Sequence, residues 1–360
     1  MNRRPSQPET RTARLSDCRP RVQLALCAIL CLSLLDSMAA SASAPGTITT
    51  FDVPGAVVLR ISGIDAAGLI VGTYSDRSGV EHGFTRDAAG TITTIDAPGA
   101  GTGFDQGTSI AGVSSGGQIC GTYVDSNSKD HGFWMDTSGT IITFEAPDSN
   151  FTIANSVNDS GQVAGIYYSE GFPDGPFGFI WSNSAPAVTF APPNTEFLDS
   201  AEINSSGEVA GYFETIVKDH DYYRDANGNF VIFSASAEGA GFVTAINDSS
   251  TIVGYVGDQT GWQGFIREGG SITPVSISGS PETFIYSVND GGTVAGTYTD
   301  ASGVYHGFFQ DRFGNVTTIS EPYAGTAAEQ GTMASSINAS GEVAGAFIGP
   351  LGTYHGFLWR

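Results

Sequence analysis

Five histidines are the first residues that could carry chemistry. His82, His131, His220, His306 and His355 stand at one register, before Gly-Phe or its counterpart Asp-Tyr. Imidazole is a common metal ligand, so five in register invite a metal reading. Geometry opposes it, because equivalent positions on neighbouring packed sheets lie about 10 Å apart while zinc bonds are about 2 Å. The spacing therefore predicts structural imidazoles that hydrogen-bond a neighbouring turn or strand. Hard oxygen ligands form a second group. Asp76, Asp125, Asp258 and Asp300 sit in Gly- and Ser-containing loops such as Asp76-Arg77-Ser78-Gly79, the chemistry that holds Ca²⁺. No 12-residue calcium loop or Gly-Gly-x-Gly-x-Asp nonapeptide accompanies them, so solvated turn carboxylates are the expectation and no cofactor is required.

Gly112-Val113-Ser114-Ser115-Gly116 matches the Gly-x-Ser-x-Gly nucleophile pattern. A nucleophile elbow needs a strand before it and a helix after it, whereas Ser114 stands where related segments carry the Asn of a hairpin turn. It reads as a turn residue. Trp262 is the aromatic candidate: it adjoins a Gly-bounded loop, residues 257–261, and could be a stacking platform for a sugar or a peptide. Trp134, Trp181 and Trp359 are expected in the core. Carboxylates outside any repeated register, Glu196, Asp199, Glu202, Glu214, Asp219 and Glu282, would be the acids and bases of a hydrolase.

The elements that position these residues are repeats. Ile337-Asn338-Ala339-Ser340-Gly341-Glu342-Val343-Ala344-Gly345 is written seven times with variation, and its last Gly falls at Gly72, Gly121, Gly165, Gly211, Gly254, Gly296 and Gly345. The intervals of 49, 44, 46, 43, 42 and 49 residues fit propeller blades or a solenoid. Each unit parses into four short strands. A hairpin turn such as Asn158-Asp159-Ser160-Gly161 joins the first two, the His-Gly-Phe segment is the third, and a run such as Val316-Thr317-Thr318-Ile319 is the fourth. The expectation is an all-β, seven-bladed propeller over residues 43–360. Ile48-Thr49-Thr50-Phe51 is a fourth-type strand and His355-Gly356-Phe357-Leu358-Trp359 a third-type strand, so the former is expected to complete the last blade.

Composition narrows function. Gly is 48 of 360 residues, as many tight turns require, and the formal charge is -22. Setting aside residues 1–42 leaves 9 Lys and Arg against 34 Asp and Glu, which excludes phosphate backbones as partners. Residues 1–42 read as a signal peptide: six Arg, an apolar run from Val22 to Leu35, and Ala40-Ser41-Ala42 before the cut. The run of about 14 residues is short of the roughly 20 that span a bilayer, so no membrane span is expected in the mature chain. Cys120 alone then remains, so no internal disulfide is expected.

The combination Asn-x-x-Gly-x-Val/Ile-Ala/Val-Gly with His-Gly-Phe, over residues 48–360, resembles the HAF-type extracellular repeat proteins of bacteria. That resemblance implies a secreted, propeller-like protein and supplies no catalytic residue. The functional expectation is a noncatalytic extracellular module binding a glycan or a protein. The alternative is an extracellular hydrolase or lyase using loop carboxylates at the central opening.

Overall fold

The computed structural model describes residues 46–169, 176–235, 241–258 and 261–360. The expected signal peptide lies outside them, as does the side chain of Asp258. Contacts divide the chain at Ala40/Ser41, and all the described residues belong to the second unit. Among the described residues every regular element is a strand, and no helix is long and apolar enough to cross a membrane.

Repeat six shows the pattern: Glu282–Val288, Val294–Thr299, Tyr305–Gln310 and Val316–Ile319 pair antiparallel in order. One rung runs Ile285, Gly296, Phe308, Thr318. The second-strand Gly is there because the neighbouring groups leave no room for a side chain. A Cβ on Gly165 would lie 2.1 Å from Ile153 O and 2.7 Å from the Phe179 ring. The third-strand aromatic fills that space in every repeat, with Phe84, Phe133, Phe179, Tyr222, Phe265, Phe308 and Phe357 all fully buried.

The turn Asn does two jobs. Asn158 Oδ1 accepts from Ser160 N and Gln162 N, which closes its own hairpin, while its Nδ2 donates to Asn204 O of the next repeat at 2.9 Å. The same link runs from Asn204 to Asn247 O, Asn247 to Asn289 O, Asn289 to Asn338 O and Asn338 to Asp65 O. Asp65 and Ser114 lack the amide and only cap their own turns. Gly161 takes the left-handed conformation its turn needs, with φ of 73°. Ser250 holds φ of 60° at the matching place, and its hydroxyl donates to Glu208 Oε2 at 2.6 Å.

Repeats pack face to face through core clusters that straddle each seam. Ala164, Ile166 and Ile180 of repeat three meet Val209, Phe213 and Tyr222 of repeat four. Leu59, Ile61 and Ile64 of repeat one meet Ala344, Ala346 and Leu358 of repeat seven. The residue four after the His position caps these seams: Arg224 lies 5.2 Å over the Phe190 ring, Arg267 4.6 Å over Phe233, and Trp181 stacks on Phe144 at 4.2 Å. Ile48–Phe51 pairs antiparallel with Tyr354–Trp359, with Thr50 opposite Phe357, the rung that Thr318 holds in repeat six.

Candidate functional site

The turn ends of the first strands converge from all seven repeats on one small cavity of about 190 Å³. Ser156, Asn158, Asn204, Asn247, Asn289 and Asn338 contribute to its wall. None of the six out-of-register carboxylates lines it; the carboxylates that do are the turn residues Asp159, Asp248 and Asp290.

The histidines and the loop aspartates, read separately in sequence, belong to one device. His82 Nδ1 lies 2.7 Å from Asp96 Oδ1 after the fourth strand, and Nε2 faces Asp76 Oδ2 at 3.9 Å. His131 stands between Glu145 and Asp125, the latter 3.5 Å away. His306 stands 3.2 Å from Asp300 Oδ2 and 3.4 Å from Ser320 Oγ, and His355 is 2.5 Å from Asp52 and 2.9 Å from Thr353 Oγ1. Each ring also stacks on a second-strand aromatic, Tyr74, Tyr123, Tyr298 or Phe347. Among the described residues His220 keeps only the stacking, on Phe213 at 5.4 Å. Ser320, His306 and Asp300 thus repeat a structural clamp whose other copies carry Asp or Glu in place of the serine.

Asp76, Asp125 and Asp300 use Oδ1 to accept the backbone N–H groups two and four residues on. Those bonds hold their carboxyls below the usual range: the Val80 N–H leads for Asp76, and the Lys129 N–H leads for Asp125, which falls to about 2. At Asp300 loss of solvent pushes upward, but the Val304 N–H and His306 together outweigh it, and this carboxyl too ends below its usual range. Ser114 Oγ accepts from Gln118 N at 3.3 Å, so it caps a turn as its sequence context predicts. Cys120 is buried, and that burial pushes its thiol up.

Trp262 lies in a group that sequence reasoning otherwise missed. Tyr212, Phe242, Tyr255, Trp262, Phe284 and Tyr286, from repeats four to six, form a continuous chain of ring contacts at 4.9–6.3 Å. All six are half-buried, unlike the enclosed third-strand Phe or Tyr of each repeat. The first- and second-strand rung occupied by Phe242 and Tyr255 carries Ser109 and Thr122 in repeat two, and Arg60 and Thr73 in repeat one. Repeats three and seven carry Ile153 with Ile166 and Met333 with Ala346 there, so aromatic residues hold this rung in repeats four to six alone. Gly257 is needed there, since a Cβ would come 2.7 Å from the Trp262 ring.

Carboxylates collect beside this wall. Asp199, on the rung of Tyr212, is pushed up to about 7 by burial, with Glu214 and Asp219 adding to the effect. Burial, then Asp219 and Glu196, also raises Glu214. Glu202 stands apart: it bonds Ser156, and burial among packed groups raises it to about 8, although part of the residue's surface stays open. Glu282 Oε2 accepts from Thr299 Oγ1 at 3.3 Å. Asp221, visible in sequence only as a departure from His-Gly-Phe, is fully buried and raised to about 7 by that burial.

No family model matches the chain, and no curated protein matches it. Solved structures do. The β-propeller domain of the Trilobed protease from Pyrococcus furiosus, described as having an open velcro topology, aligns with a TM-score of 0.57 at 13% identity over 84% of this chain and 95% of that one. A prolyl endopeptidase structure aligns at TM-score 0.55 and 12% identity, and a puromycin hydrolase at 0.54 and 10%, each over 84% of this chain. The chain spans 46% and 53% of those two enzymes, about half their length. The fold is an all-β propeller. The expectation of a noncatalytic extracellular binding module is corrected by these matches, which are the propeller domain of a protease, a prolyl endopeptidase and a puromycin hydrolase.

Proposed function

We propose that this chain is the propeller of a peptide-hydrolysing system, receiving extended peptides against the aromatic wall of repeats four to six. The wall carries the reading: six contacting, half-buried rings from repeats four to six, while the rung of Phe242 and Tyr255 holds no aromatic residue in repeats one, two, three and seven. Aromatic grooves suit extended, proline-containing segments, whose ordering cost is already low. The peptidase propellers that align with this chain support the same substrate class. In this reading seven blades form a ring latched by Ile48–Phe51, supported by its pairing with Tyr354–Trp359, the seam of repeats one and seven, and the bond from Asn338 to Asp65 O. The Arg-rich start and apolar run support export, as in the HAF-type proteins it resembles.

The test is fluorescence anisotropy with a set of labelled, unstructured peptides with and without proline, on the full chain and on Trp262→Ala. Saturable binding that weakens at least about tenfold in the variant, at matched melting temperature, is expected of a central aromatic contact. Equal binding by both proteins rejects the wall as the site. Mass spectrometry of the same mixtures reads hydrolysis directly, with peptide fragments marking cutting residues within this chain.

A further inference from the structure

Repeat four places a carboxylate at three positions where no other repeat has one. Asp221 replaces the Gly of His-Gly-Phe, Glu202 replaces a Gly, Ser or Ala two residues before the turn residue, and Asp199 stands on the rung of Phe242 and Phe284. The Gly position looks into the seam with the following repeat: a Cβ on Gly83 would meet Ile110 at 2.9 Å, and one on Gly264 would meet Ile285 at 2.8 Å. Asp221 accordingly lies wholly buried at the seam with repeat five. Its Oδ2 accepts from Ala235 N at 2.9 Å and Gly241 N at 3.1 Å, while Oδ1 has no hydrogen-bond partner among the described residues. Gly241 opens the first strand of repeat five.

Asp199 and Asp221 flank Tyr212 across the sheet, and the Tyr212 ring meets Phe242 of repeat five edge-on at 4.9 Å. Glu202 serves the other seam, bonding Ser156 of repeat three. The groups facing these carboxyls are acidic or weakly polar. Asp199 sees Glu214, Asp219 and Tyr168, Asp221 sees Asp219, and Glu202 lies near Ser156, Cys120 and Tyr222. The nearby cation, Arg224, is turned onto the Phe190 ring, Lys218 sits at the exposed loop tip, and His220 stacks on Phe213. Ionising any of the three therefore puts a charge with no facing cation at a seam, offset only in part by the two backbone N–H groups on Asp221 and by Ser156 on Glu202.

We propose that repeat four is a pH-responsive segment of the fold: with Asp199, Glu202 and Asp221 protonated it packs tightly against repeats three and five, and with them ionised both seams loosen. Burial raises the three carboxyls to about 7, about 8 and about 7. In the unfolded chain they would titrate near 4. Their protonated forms thus contribute stability that is complete below about pH 4 and is lost as pH rises through 7 to 8. The aromatic wall shares the seam of repeats four and five, so its edge loosens with it. This inference stands without the peptide reading.

Hydrogen exchange of the full chain at pH 5.5 and 8.5, corrected for the intrinsic rate, tests it. Protection of segments within 197–235 and 241–246 is expected to fall at least tenfold more than protection in repeats one and seven. The triple variant Asp199→Asn, Glu202→Gln, Asp221→Asn should lose that difference. Wild-type protection that changes equally in all repeats overturns the proposal, as does a folded triple variant with an undiminished difference. Should the triple variant not fold, Asp221→Gly, which restores the residue of the other repeats, should reduce the pH-dependent loss at the seam of repeats four and five, and an unaltered loss there overturns the proposal equally.

Discussion

The backbone of Gly165 passes so close to Ile153 O and the Phe179 ring that a methyl group has no space. Gly165→Ala should destabilise the protein by about 1–3 kcal/mol, the usual cost of forcing a methyl group into a packed core. A melting temperature equal to wild type would refute that account. Asn247 joins two repeats through one side chain: its Oδ1 accepts from Ser249 N and Thr251 N, and its Nδ2 donates to Asn289 O. Asn247→Ala strands buried donors and an acceptor, so a loss of about 1–3 kcal/mol in chemical denaturation is expected. The turn role was legible from residue type. The link to the next repeat was not, because nothing in Asn-x-x-Gly says which carbonyl faces the amide.

At the scale of elements, the strand Ile48–Phe51 fills in repeat seven the place that Val316–Ile319 fills in repeat six, down to the side chain that follows it: Asp52 approaches His355 as Ser320 approaches His306. Deleting residues 46–52 removes the outer strand of that sheet and uncovers Phe357 and Gly356. Calorimetry of the deletion should show a melting temperature lowered by several degrees, since a long-range strand pair and part of the core of repeats one and seven go with it. Equal melting temperatures would refute the latch. The phase of the repeats, with a fourth-type strand first and a third-type strand last, made this pairing readable in advance. The His clamp was only half readable, since spacing placed His and Asp in separate lists and pairing across strands brought them together.

For the molecule as a whole, two populations of carboxylates oppose each other with pH. Asp76, Asp87, Asp125, Asp136, Asp225 and Asp311 are held below their usual range, the first three chiefly by the backbone N–H groups of Val80, Thr91 and Lys129 and the others chiefly by the side chains of Ser138, Asn229 and Asn315. Their contribution is present above the ordinary carboxyl range and lost as pH falls, for Asp125 down to about 2. The buried acids of repeat four act in the opposite sense. Thermal stability should therefore peak in mildly acid solution and fall on both sides, which a melting series from pH 2 to 9 checks; a plateau from pH 6 to 9 would leave repeat four without its assigned effect.

The sequence by itself determined the strand order, the turns, the positions of the third-strand aromatics and the acidic surface, because these follow from local backbone preference and from a pattern repeated seven times. Only the tertiary structure decided where the irregular residues meet. Phe242, Phe284 and Tyr286 are unremarkable alone, and Trp262 becomes part of a wall because the first strands of repeats five and six bring Phe242 and Phe284 against it. Asp199, Glu202 and Asp221 likewise look like scattered acids until the seams on either side of repeat four enclose them. Function was the least legible. A repeat sequence is constrained mainly by neighbour packing, so the likeness to solved propeller structures emerged from the arrangement of the strands rather than from any motif.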